Sequence, residues 1–171
     1  GPGERVFVDE AQVRIGPRQE RCILLGITDG RRCTIRIVAD RSAASLIAPI
    51  VEVTAPGSIV VSDGWPAYNG LDALGFEHRR VVHRRKMWVN AQGDCMTYVE
   101  GIWANLKRLL SGKSAQVVDA NLWKFVAEVI YRYNAALDPA AAWWRLIGGF
   151  REVRAGEIEA VRRRIDRRID R

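Results

Sequence analysis

The sequence predicts an α/β domain: a mixed five-stranded sheet with flanking helices and a helical C-terminal extension. Three observations predict it. Three short apolar or alternating runs precede any helical pattern. A fourth run, SIVVS at 58–62, is too apolar to be half exposed and reads as a central strand parallel to its neighbour. From Thr97 the apolar spacing changes from the period of a strand to that of a helix.

Arg5 to Val8 reads as a short buried strand ending in two carboxylates, Asp9 and Glu10. Cys22 to Thr28 is a second strand. Asp29-Gly30 is a hairpin signal, and RCTIRIV at 32–38 alternates beyond it, so the three strands run antiparallel in sequence. Ser42 is a cap before the helical stretch AASLIAPIVEV, which Pro49 should kink or shorten. After the Pro56-Gly57 turn and the fourth strand, Pro66 suits the start of a short helix through Leu74, ended by Gly75. Glu77 to His83 is a fifth, more polar strand, expected at an edge. Val99, Ile102, Trp103, Leu106 and Leu110 then recur at helical spacing, and Gly112 stops that run. Asn121 to Asn134 is another amphipathic helix, with Leu122, Phe125, Val126, Val129 and Ile130 in one stripe. Pro139 opens a third, closed by Gly148-Gly149. The last stretch, 157–171, alternates Ile with Arg and Asp. This order of elements is that of the ribonuclease H-like arrangement.

Composition narrows the function. Hydrophobic residues make up 48% of 171, which excludes a disordered chain. No apolar run approaches the roughly 20 residues that cross a bilayer, so no membrane partner is expected. Cys22, Cys33 and Cys95 form no CxxC pair, and His78 and His83 are not spaced as a ligand pair; a structural zinc site and a disulfide framework are both disfavoured. The free thiols fit a reducing cytosol. A net charge of +7 suits a polyanionic partner, although an arginine-rich soluble surface would give the same number.

The chemistry centres on acids. In the predicted arrangement, Asp9 leaves the end of the first strand and Asp63 the end of the fourth, and those strands lie side by side. Glu100 sits on the first turn of the helix that follows the fifth strand and returns to the same edge. Each acid has a plainer reading: Asp63 caps a turn, and Glu100 complements a helix dipole. Three convergent carboxylates repel one another unless a cation lies between them, and hard oxygen ligands favour Mg²⁺ or Mn²⁺. Two such ions can activate water and stabilise the leaving oxygen of a phosphodiester. Glu10 is a neighbouring acid of the same kind. Lys107, two turns after Glu100 on its face, and Arg108 could meet DNA phosphates or be a solvated face. Arg84, Arg85 and Lys86 beside Trp88 offer charge and a stacking surface, as single-strand binding requires, or are an exposed basic loop. Trp103 and Trp123 fall on apolar stripes and read as core. Trp65 shields the acid site or pins its turn.

The segments FVDEA at 7–11, VADRSAASL at 38–46, PGSIVVSDGWPAY at 56–68, GFEHRRVVH at 75–83 and YVEGIWANLKRLL at 98–110 resemble insertion-sequence transposases of the Merlin superfamily, the ISXO-like DDE transposases. IYRYN at 130–134 resembles that family's closing helix motif. The resemblance runs from about residue 6 to 135. It implies a metal-dependent DNA cutting and joining domain whose acids are Asp9, Asp63 and Glu100, with 36 residues between the last two. Lys107 stands at the family's LKR lysine. Just before the VEGxW motif, bacterial relatives write His-Thr-Asn, and the Asn is sometimes taken as the third site. Here Cys95-Met96-Thr97 stand there, which leaves open a domesticated fold that binds DNA without cutting it.

The resemblance further implies two Mg²⁺ or Mn²⁺ ions, transposon-end and target DNA as partners, and a homo-oligomer on DNA. It implies a bacterial cytoplasmic, DNA-associated location, or a nuclear one in a eukaryote. The family carries its zinc ribbon and helix-turn-helix ahead of this domain, so end recognition is expected outside this sequence. Residues 1–3 read as a remnant of tag removal, 4–135 as the catalytic domain, and 136–171 as the helical extension. The basic tail, with Ile165 and Ile169 four apart, is expected to pack on DNA or a partner subunit.

Overall fold

In the computed structural model, which describes residues 3–81, 89–90, 92–112 and 116–148 (the side chains of 119 and 144–148 apart), the three N-terminal runs form an antiparallel meander. Its strands are β1 (Arg5–Ile15), β2 (Glu20–Thr28) and β3 (Cys33–Val38). β4 (Ile59–Ser62) pairs parallel to β1, and β5 (Glu77–Arg80) parallel to β4, giving the order β3-β2-β1-β4-β5. α1 (Ala43–Val53) links β3 to β4, and α2 (Thr97–Leu110) and α3 (Asp119–Ala135) follow the sheet. The contacts divide the chain into two units, Gly1–Leu137 and Asp138–Arg171. In the second, α4 (Pro139–Gly148) is capped by Asp138, whose Oδ1 accepts the Ala141 N–H at 2.9 Å.

The β1 expectation needs correcting. Asp9 and Glu10 are not beyond the strand but inside it, because the ladder with β2 continues unbroken from Phe7↔Thr28 to Ile15↔Glu20. AQVRI alternates along the strand: Val13 and Ile15 are buried on one face while Gln12 and Arg14 point to solvent. β5 occupies Glu77–Arg80 at the sheet edge; Val81 follows it, buried and still donating its N–H to the Ser62 carbonyl at 2.9 Å, and 82 and 83 of the expected strand lie outside the described residues.

Pro49 does not end α1. Ser42 caps the helix, its Oγ accepting the Ser45 N–H at 3.3 Å, and the helix runs on to Val53 with Leu46 and Ile50 fully buried. Proline removes one intrahelical bond, and packing of the two aliphatic side chains on the sheet outweighs that loss. After β4 the expected short helix is two 3₁₀ segments, Pro66–Gly70 and Asp72–Leu74, closed by Gly75 at φ 85°.

Alternate residues of the sheet feed two cores. On one face, Phe7, Leu24 and Val61 pack with Ile102, Trp103 and Leu106 of α2 and Leu122, Val126 and Val129 of α3. On the other, Val8, Leu25 and Val60 pack with Leu46 and Ile50 of α1 and with Tyr68 and Leu71. The sheet is therefore the middle of three layers, and neighbouring residues of β1 look into opposite cores. Trp123 is a second correction. It is 57% exposed, its Nε1 donating to the Ala120 carbonyl at 3.0 Å, because the helical step that buries Leu122 and Val126 turns position 123 outward.

Candidate active site

Asp9 is the fifth residue of β1, on the α2 face. Its Oδ2 accepts a hydrogen bond of 2.8 Å from the indole Nε1 of Trp103. That approach depends on Gly26, the residue paired with Asp9 across the β1–β2 ladder. A Cβ on Gly26 would lie 2.7 Å from Cζ2 of Trp103. The missing side chain lets the indole lie against the sheet and reach the acid.

Asp63 follows β4 directly. The parallel register pairs Val6 with Val60 and Phe7 with Val61, and it brings the end of β4 toward Asp9, close enough for the Asp63 charge to act on the Asp9 carboxyl. Asp63 also caps its own turn, its Oδ1 accepting the Trp65 N–H at 2.9 Å. The plain reading, a turn cap, therefore holds. Burial pushes the Asp9 carboxyl up to about 7; the negative charges of Glu10 and Asp63 add to the rise, and the Trp103 hydrogen bond opposes it.

Glu10, the next residue of β1, looks into the other core. Its side chain is only 2% exposed and is ion-paired with Arg41. Arg41 Nε donates to Oε1 at 2.9 Å and the Tyr68 hydroxyl to Oε2 at 2.5 Å. Burial and the bond to Glu10 push the Tyr68 hydroxyl far above its ordinary value, so it remains a donor. Glu10 is thus occupied structurally. Trp65 is partly exposed, and the Arg41 guanidinium lies 4.1 Å over its ring.

Glu100 stands apart from this pair. It is exposed on the first turn of α2, three residues before Trp103, so it lies toward the same flank of the helix. Among the described residues no three Asp, Glu, His or Cys side chains gather closely enough to hold one ion. Trp103 is the α2 side chain that is hydrogen-bonded to Asp9. Thr97 is the exposed first residue of α2, behind Met96, which is buried at the N-cap position without making a side-chain cap. Lys107 and Arg108 are exposed in the last turn of α2, and Arg108 donates to Asn105 Oδ1. Arg84, Arg85, Lys86, Trp88, His83 and the basic tail lie outside the described residues.

The Asp9–Asp63 pair fits a hard divalent cation. Both are oxygen donors, their hydrogen-bond partners are an uncharged indole and an uncharged backbone amide, and the like charges raise Asp9. Glu100 is the carboxylate that α2 carries, in its first turn.

Sequence reasoning missed the supporting groups. Gly26 carries no spacing signal, and Trp103 was read as core alone. Asp94 is a buried acid, its side chain 3.4 Å from Arg5 and 3.6 Å from Arg79, which ties the approach to α2 to β1 and β5. In IYRYN, Asn134 completes the start of β3: its Oδ1 accepts the Cys33 N–H at 2.7 Å and its Nδ2 donates to the Cys33 carbonyl at 3.1 Å.

Residues 6–134 match the model of the ISXO2-like transposase domain. A search of curated proteins finds no match. Among solved structures, the chain is similar to the HTLV-2 integrase catalytic core domain in complex with magnesium. In its dimeric form the TM-score is 0.52 at 11% identity, covering 76% of this chain and 85% of that one. In its trimeric form the TM-score is 0.50 at 11% identity, covering 76% and 84%. At that identity the likeness speaks for the fold, a ribonuclease H-like mixed sheet with flanking helices. The family match covers most of the sequence and bears out the resemblance carried by FVDEA, SDGWPAY and YVEGIWANLKRLL: the chain belongs to the ISXO2-like transposase domain family, a family of DNA transposition.

Proposed function

We propose that the chain is the catalytic domain of a DNA transposase that cuts and joins phosphodiester bonds, with Asp9, Asp63 and Glu100 as ligands of two Mg²⁺ or Mn²⁺ ions. The observation that carries this reading is the Asp9–Asp63 pair, whose charges act on each other beyond the end of the β1–β4 ladder in a member of a transposase family. Bound there, the cations would polarise the phosphoryl oxygens and lower the pKa of the attacking water. The chain's own residues do the positioning. Trp103 holds Asp9 in one orientation, and the turn amide of Trp65 holds Asp63. Glu100 closes the set from the flank of α2. Lys107 and Arg108 hold the DNA backbone, as does the 84–86 cluster, with little reading of sequence. Water attacks the phosphorus first, and the P–O3′ bond breaks to free a 3′-hydroxyl; that hydroxyl then attacks a target-strand phosphorus in line and expels the target's own 3′-oxygen. The magnesium of the HTLV-2 integrase core, and its dimeric and trimeric forms, support a divalent ion and an oligomer here too.

Nicking of supercoiled plasmid by the full chain in Mn²⁺ tests the reading. The expected result is nicking that D9N, D63N and E100Q each reduce at least 10²-fold, and joining of a pre-cleaved 3′-hydroxyl end to a target plasmid. Nicking without joining would identify a nuclease instead. A second reading, a DNA-binding fold that does not cut, is favoured by Cys95-Met96-Thr97 in place of His-Thr-Asn and by the separation of Glu100 from the pair. It stands if the chain binds DNA and never cuts it under any divalent ion.

A further inference from the structure

We infer that Arg41 is a positioning residue for the acid pair, clamping the Asp63 turn to β1 through Glu10 and Trp65. The inference rests on the reading of Asp9 and Asp63 as cation ligands. Glu10 is the immediate neighbour of Asp9 in β1, so whatever is fixed to its carboxylate is fixed relative to Asp9. Arg41 binds that carboxylate through two of its nitrogens, from the segment just ahead of α1. Both nitrogens converge on the single oxygen Oε1, and two charge-assisted donors on one acceptor fix the direction of the guanidinium as well as attracting it. Its guanidinium plane then lies 4.1 Å over the indole of Trp65, and its backbone carbonyl accepts the Trp65 Nε1–H at 3.2 Å. Trp65 is therefore held twice by one residue. Its own backbone N–H donates to Asp63 Oδ1 at 2.9 Å.

The far end of the turn is tied to the same anchor. Tyr68, fully buried in the first 3₁₀ segment, donates to the second oxygen of Glu10 at 2.5 Å. The acid turn is thus fastened at both Trp65 and Tyr68 to a single buried carboxylate. β4 itself is only four residues long, and its ladder to β1 ends at Val61, two residues short of Asp63. On its other side β4 stays paired with β5 through Ser62, whose Oγ donates to the Asp63 carbonyl at 2.8 Å. The Glu10–Arg41–Trp65 chain adds a hold on the Asp63 side chain and its turn from the opposite face of the sheet.

Lysine at 41 keeps the charge but loses the paired planar donors and the flat stacking surface. The test is the affinity of the full chain for Mn²⁺ alone, by calorimetry, with circular dichroism as the check on fold. R41K and W65F are expected to stay folded and to bind Mn²⁺ about tenfold more weakly, as removal of groups that orient metal ligands does elsewhere. In nicking they are expected to need more Mn²⁺ for half-maximal rate and to recover kcat when Mn²⁺ saturates. A role in folding alone would not move the Mn²⁺ requirement of a folded variant. W65F keeps the pair of Arg41 and Glu10, so it decides the matter if R41K does not fold. Folded R41K and W65F that bind Mn²⁺ like the wild type, while D63N does not, would overturn the clamp and leave the acid pair standing. Wild-type affinity in D63N would instead remove Asp63 as a ligand and the clamp's purpose with it.

Discussion

Asp9 carries the most informative residue-scale prediction. Its carboxyl titrates near 3.8 when unfolded and near 7 when folded. Between those values the folded state holds a proton that the unfolded state has released. Asp9 therefore costs nothing below pH 3.8, and stability falls as pH rises from about 4 through 7. At about 1.4 kcal/mol per unit, the loss by pH 8 is at most about 4 kcal/mol. D9N removes the titrating group, so it should be more stable than the wild type at pH 8, and the difference should vanish near pH 4. Urea unfolding at the two pH values checks this. The two stripe tryptophans give a second contrast. W103A removes a side chain 5% exposed and should cost about 3–5 kcal/mol; W123A, at a position 57% exposed, should stay within about 0.5 kcal/mol. Both fall on apolar spacing, and a stripe is too wide to say which of two adjacent positions faces the sheet.

At the scale of elements, the structure turns on a few places where a side chain completes backbone geometry. Asn134 of α3 pairs with both backbone groups of Cys33, as a neighbouring strand would. N134A should cost about 1–3 kcal/mol, read as a lowered thermal midpoint, because the Cys33 N–H and carbonyl are left without those partners. G26A should cost a similar 1–3 kcal/mol by overpacking against Trp103. The helices, the Asp29-Gly30 hairpin and the central β4 could be read from periodicity and turn chemistry, which are local. The length of β1 and the survival of α1 through Pro49 could not. Pairing with β2 decides the first and burial of Leu46 and Ile50 the second, and both partners are distant in sequence.

For the whole molecule, the charge of +7 becomes a statement about DNA under the proposed function. Binding should weaken steeply with salt, and K107A should lower affinity alike for unrelated sequences while reducing the slope of log K against log salt by about 1. Fluorescence anisotropy over a salt series reads both. The family was legible because the motifs are short, ordered and chemically specific. The sequence by itself determined the α/β class, the order of strands and helices, and the candidates Asp9, Asp63 and Glu100, since these depend on local period and residue type. Only the tertiary structure decided that Asp9 and Asp63 form the close pair, that Glu100 lies outside it, and that Glu10 and Arg41 anchor the acid turn from the far side of the sheet. Those outcomes depend on strand register and on which face each residue of β1 presents, and a shift of one residue would reverse them.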